Sequence, residues 1–97
     1  MPVIIAKIKA KKNSVEIVRK ALIEIAQYVK KHEKGTLDYF VTQDDNEKNI
    51  FFTYERFLTI EDKKIHNSSK AIKDFLSTTE GHLEEEISIS TGYNIEC

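Results

Sequence analysis

Apolar and polar positions alternate from the start of the chain. Over residues 3–10, Ile4, Ala6, Ile8 and Ala10 share one side of an extended segment, with Val3, Ile5, Lys7 and Lys9 opposite. The period then changes. Val15, Val18, Leu22, Ile25 and Val29 recur three and four apart, which predicts an amphipathic helix ending near His32. Asn13 is placed to cap it with Glu16 as capping-box partner, and Gly35 is the expected stop. Residues 36–43 read as a second strand, 44–49 as a polar hairpin loop, and 50–57 as a third strand.

The third strand carries Ile50, Phe52 and Tyr54 on one face and Phe51, Thr53 and Phe57 on the other. Large apolar groups on both faces imply cover from both sides. Thr59 starts a short helix with Asp62 at the capping-box position. Ser68 or Ser69 caps the next, with Ile72, Phe75 and Leu76 inward and Gly81 as its end. Leu83, Glu85, Ile87, Ile89 and Thr91 alternate with Glu84, Glu86, Ser88 and Ser90 in a last strand, and a tail over 91–97 follows.

The order β-α-β-β-α-β, with the second helix broken in two, is the ferredoxin-like pattern. It gives an α+β fold: a four-stranded antiparallel sheet with helices on one face. The apolar face of the first strand and the doubly apolar third strand predict a homodimer packed sheet to sheet. Tyr93 and Ile95 suggest that the tail lies along the partner.

Bulk composition narrows the function classes. Ninety-seven residues make one domain, and a chain this short gains from a partner subunit. Fifteen basic and 16 acidic side chains leave a net charge of −1, which gives no support for nucleic-acid binding. The lysines at 7, 9, 11 and 12 and at 30, 31 and 34 suit a solvated strand end and a helix C-terminus. The single cysteine, Cys97, cannot form an intrachain disulfide. With no signal-peptide pattern at the start and no long apolar run, the cytoplasm is the expected location and a membrane is not an expected partner. The three glycines are isolated at 35, 81 and 92, so no phosphate loop is present. No His/Cys grouping has metal-ligand spacing. No metal, flavin or nicotinamide is expected.

Gly35-Thr36-Leu37-Asp38-Tyr39, then Tyr54-Glu55-Arg56-Phe57, then His66 form the most specific constellation. In order and spacing it resembles the antibiotic biosynthesis monooxygenase family of dimeric α+β barrels. The resemblance covers about residues 3–90. Phe57 stands where the family often has Trp. Glu61-Asp62 match its acidic helix start and Ser69 its serine, while Ala71 replaces a second histidine.

The resemblance implies oxidation of a small aromatic phenol, quinol or anthrone by molecular oxygen without a cofactor. Such chemistry asks for a base near neutrality and an apolar pocket with aromatic walls. His66 is then the base or hydrogen-bond partner, and Asp62, one turn earlier on the same helix, orients it. Tyr39, Phe40, Phe52, Tyr54 and Phe75 are candidate walls, and Arg56 a candidate anion stabiliser. Glu55 alternates away from Tyr54 and Arg56 and reads as a structural hydrogen bond or ion pair. His32 and His82 read as ordinary surface positions. Haem degradation fits poorly, because Leu76 stands about three turns after His66, where haem-degrading members carry their ligand. The rival reading is a non-catalytic ligand-binding or interaction module of the same fold.

Overall fold

Seven elements follow one another in the computed structural model, which describes residues 1–96. They are β1 (Pro2–Lys9), α1 (Val15–His32), β2 (Thr36–Gln43), β3 (Ile50–Phe57), α2 (Ile60–Asn67), α3 (Lys70–Thr79) and β4 (Ser88–Tyr93). The strands form one antiparallel sheet in the order β2-β3-β1-β4. Cys97 lies outside the described residues.

The helices cover one face of the sheet. The even positions of β1 supply buried Ile4, Ala6 and Ile8 to that face, where Ala6 and Ile8 pack in one cluster with Val18, Ala21, Leu22, Ile25 and Val29 of α1, Phe51 of β3 and Phe75 of α3. Burial of these side chains from water is the main driving force for the layered packing. The apolar face of β1 is thus covered within the chain itself and leaves no patch for a partner. That corrects half of the sequence argument for a dimer.

The other half changes form. Phe51, Thr53, Glu55 and Phe57 are the buried face of β3, while Phe52 and Tyr54 point to the open side of the sheet. Ile5 of β1 and Phe40 of β2 flank Tyr54 there, through the pairs Ile5↔Tyr54 and Phe40↔Tyr54, and the rings of Phe40 and Tyr54 stack. The open face therefore has an apolar centre of Ile5, Phe40, Phe52 and Tyr54, bordered by Lys7, Thr42 and the Arg56–Asp38 pair, with residues of the opposite parity in β1 from those expected.

Three local expectations are corrected. Ser14, not Asn13, is the N-cap of α1, and it makes no side-chain cap bond; its hydroxyl instead pairs with Nδ1 of His82 at 2.9 Å. Leu76 is half exposed rather than inward. The last strand begins at Ser88. Leu83 makes only an isolated bridge to Ala10, and Thr91 to Tyr93 belong to the strand, paired with β1, rather than to a tail. Glu84 N still donates to Lys9 O at 2.8 Å, but the Ala10–Leu83 bridge is two residues out of register with the Lys7↔Ser88 pairing, so the alternation read from the sequence is interrupted before Ser88. Thr59 and Ser69 cap α2 and α3 as their positions predict, with Thr59 Oγ1 accepting from Asp62 N at 3.1 Å and Ser69 Oγ accepting from Ile72 N at 3.3 Å. Gly81 follows α3 with φ +80°, a left-handed conformation that glycine adopts without strain. Among the described residues, no helix is long and apolar enough to cross a membrane.

Candidate active site

His66 is the most deeply buried ionisable group in the described chain, at 1% exposure. Its position follows from local structure. β3 ends at Phe57, Leu58 N donates to Gly35 O at 2.8 Å, and the Thr59 cap starts α2 back across the end of the sheet. Two turns later the helix presents the imidazole to the buried face of β3. Phe57 and Tyr39 lie against it, each with its ring centre 5.4 Å from that of His66.

Two carboxylates hold the ring from opposite sides. Nδ1 lies 2.8 Å from Oε1 of Glu33, the residue that caps the C-terminus of α1. Nε2 lies 3.2 Å from Oε1 of Glu55 in β3. Both carboxylates are more than nine-tenths buried. Thr36 donates to the same Glu33 oxygen at 2.8 Å, and Thr53 donates to Oε2 of Glu55 at 2.7 Å. Oε2 of Glu33 is buried with no hydrogen-bond partner among the described residues.

A carboxylate only accepts, so two of them on one imidazole call for a proton on each ring nitrogen. Burial alone would push the imidazole down. The hydrogen bond and charge of Glu55, joined by those of Glu33, outweigh burial and hold His66 above the ordinary histidine value. The α1 C-terminus beside Glu33 adds the negative end of a helix dipole. Geometry and charge together therefore favour the imidazolium form of His66, in which the ring has no lone pair to offer as a base.

A cavity of about 300 Å³ opens beside this cluster. Its polar end is built by Glu55, His66, Tyr39, Thr53 and Asn67. Its walls are Ile4, Ala6, Ile8, Leu22 and Ile25 below, Ile72, Phe75 and Leu76 from α3, and Ile87, Ile89 and Thr91 at the β4 edge. Burial first, then the charges of Glu55 and Glu33, push the Tyr39 phenol well above its ordinary value, so it stays protonated.

The residues singled out in the sequence fall into two groups. His66, Tyr39 and Phe75 border the cavity. Phe52, Tyr54 and Arg56 lie on the opposite face of the sheet, because β3 alternates and Glu55 is the cavity-facing neighbour of both Tyr54 and Arg56. Arg56 Nε there donates to Asp38 Oδ2 at 2.6 Å. Asp62 does not orient His66. Its carboxylate receives a hydrogen bond from the Thr59 hydroxyl at 2.7 Å and rests over Gly35. Glu33 and Glu55 hold the ring instead. Glu55 is an ion-pair partner, as its alternation suggests, while Glu33 carries no sequence signal of its role. Among the described residues, no group of three or more His, Cys, Asp or Glu side chains is arranged to hold a metal ion.

A profile of the antibiotic biosynthesis monooxygenase family matches residues 1–78. No curated protein matches the chain. Among solved structures, a candidate antibiotic biosynthesis monooxygenase from Nitrosomonas europaea superposes with a TM-score of 0.90 at 18% identity, covering 99% of this chain and 100% of that one. A candidate member from Caulobacter crescentus gives 0.90 at 19% identity, over 98% of this chain and 90% of that one. A Pseudomonas aeruginosa protein gives 0.89 at 21% identity, over 98% and 94%. At these identities the structures show a shared fold.

Proposed function

Because the chain belongs to the antibiotic biosynthesis monooxygenase family, we propose that it is a cofactor-independent monooxygenase. Its substrate is a small aromatic phenol, quinol or anthrone, oxidised with molecular oxygen in the cavity beside His66. The observation that carries this reading is a buried carboxylate, Glu55, at the polar end of an apolar cavity, backed by a fixed imidazolium. The volume lies at the lower end of the ~300–1,000 Å³ range of ligand sites.

In this reading Glu55, not His66, takes the proton. The substrate C–H or O–H bond breaks, its electron pair stays on the substrate, and Glu55 becomes the acid. The negative charge moves from Glu55 to the substrate, so the total charge beside His66 does not change, and the cation stabilises it in either place. The substrate anion passes one electron to oxygen, and the two radicals join as a peroxide. The peroxide regains the proton and loses water. For an anthrone, the methylene carbon loses two hydrogens and gains one oxygen atom, the other leaving in water.

The same reading includes a second copy of the chain packed on the open face of the sheet, completing the dimeric barrel. Ile5, Phe40 and Phe52 are exposed there, Phe40 by 57%. Asn94, whose Nδ2 donates to the Tyr54 hydroxyl at 3.0 Å, keeps a buried Oδ1 without a donor among the described residues, beside that face.

Oxygen uptake against a panel of quinols and anthrones tests the reading. Turnover by protein without added metal or flavin supports it. No turnover of any member favours the alternative, a non-catalytic ligand-binding module of the same fold.

A further inference from the structure

We propose that the cavity selects an uncharged ligand that donates a hydrogen bond to Glu55, and that it rejects a carboxylate of the same shape. The inference rests on the reading of this cavity as the functional site and specifies what enters it.

Charge is the first argument. Two carboxylates, Glu33 and Glu55, face one imidazolium, so the buried cluster keeps one net negative charge. Among the described residues no lysine or arginine lines the cavity, whose other polar groups are hydroxyls and an amide. The hydrocarbon walls screen charge poorly, so a second anion meets this excess at low dielectric.

Donor inventory is the second. Among the described residues, the only cation at the cavity has two N–H groups: Nδ1 is hydrogen-bonded to Glu33, and Nε2 lies 3.2 Å from Glu55 Oε1. An entering anion finds no free charged donor. Glu55, by contrast, retains acceptor capacity, since each carboxylate oxygen offers more than one lone pair.

Tyr39 is the third. It is a phenol already standing in this cavity, and the cluster keeps it protonated. A bound phenol meets the same field. It therefore enters neutral.

The test compares two ring-matched probes, naphthol and naphthoate, at neutral pH. Binding is followed by calorimetry and by shifts of the His66 and Tyr39 ring resonances. Naphthol is expected to bind in the cavity and naphthoate at least about tenfold more weakly. In Glu55→Gln, which removes one negative charge, the gap narrows. If that variant does not fold, the wild-type comparison alone decides. Naphthoate binding as tightly as naphthol overturns the proposal, as does failure of naphthol to perturb the two rings. The monooxygenase reading fails separately. Absent oxygen uptake with naphthol preference intact removes that reading and leaves the selectivity, whereas turnover of a carboxylate substrate does the reverse.

Discussion

Gly35 and Asp62 occupy one another's space: a Cβ on Gly35 would fall inside the Asp62 carboxylate. Gly35 does not adopt a left-handed conformation, so the requirement is for room rather than for backbone freedom. The contact, with the Leu58 N to Gly35 O bond, seats the first turn of α2 on the start of β2. It thereby sets where His66 arrives one turn later.

Gly35→Ala is therefore expected to destabilise the fold by about 1–3 kcal/mol through overpacking. It should also move the His66 ring resonances. Chemical denaturation and a nitrogen–proton correlation spectrum check both effects. Unchanged stability with unmoved His66 signals would show that the contact does not position α2.

The His66 imidazole is expected to titrate above the ordinary value of 6.5, because the carboxylates of Glu55 and Glu33 outweigh its burial. A folded value above the unfolded one means that the contribution to stability is complete below the unfolded value. It is lost as pH rises through the folded value. Melting temperature followed upward from mildly acidic pH should show this decline, and a His66→Gln variant should lack it. A ring that titrates below 6.5 would mean that burial wins over the two carboxylates.

His66→Ala leaves two carboxylates buried without their cation. Breaking a buried ionic cluster in this way costs about 3–5 kcal/mol, so the variant should be strongly destabilised whatever its role in chemistry. Denaturant unfolding measures this directly. A loss below about 1 kcal/mol would place the imidazole in a solvated, weakly coupled pair instead.

Much of this fold was legible because its signals are local. The three-and-four spacing from Val18 to Val29, the alternation of residues 36–43 and 50–57, and the Thr59 and Ser69 caps each depend on neighbours a few positions away. The cluster was not legible for the converse reason. His66 was matched to Asp62, one helical turn off, whereas its partners come from the end of α1 and the middle of β3. One signal pointed to the truth: Glu55 is the one charge on the face that carries Phe51, Thr53 and Phe57, and a charge there needs a buried partner. Phe52, Tyr54 and Arg56 were misplaced because strand alternation tells which residues share a face, not which face the helices cover.

Sedimentation equilibrium should find a dimer, and Phe40→Lys or Phe52→Glu on the open face should weaken it. Truncation after Tyr93 is the cleaner test of the tail, because residues 91–93 pair with β1 and their loss would damage the sheet itself. Removing the fully exposed Ile95 with its neighbours should weaken association without changing the monomer fold. A stable micromolar monomer in the wild type would reject this interface.

Tyr54 and Glu55 are neighbours in β3 with side chains on opposite faces, and together they give the most direct test of where the chemistry sits. On a quinol or anthrone substrate, oxygen uptake should fall about 10²–10⁴-fold in Glu55→Gln, the range for loss of a general base. Tyr54→Phe should stay close to wild type. Loss of turnover in Tyr54→Phe with Glu55→Gln unaffected would put the reaction on the open face of the sheet and contradict the account.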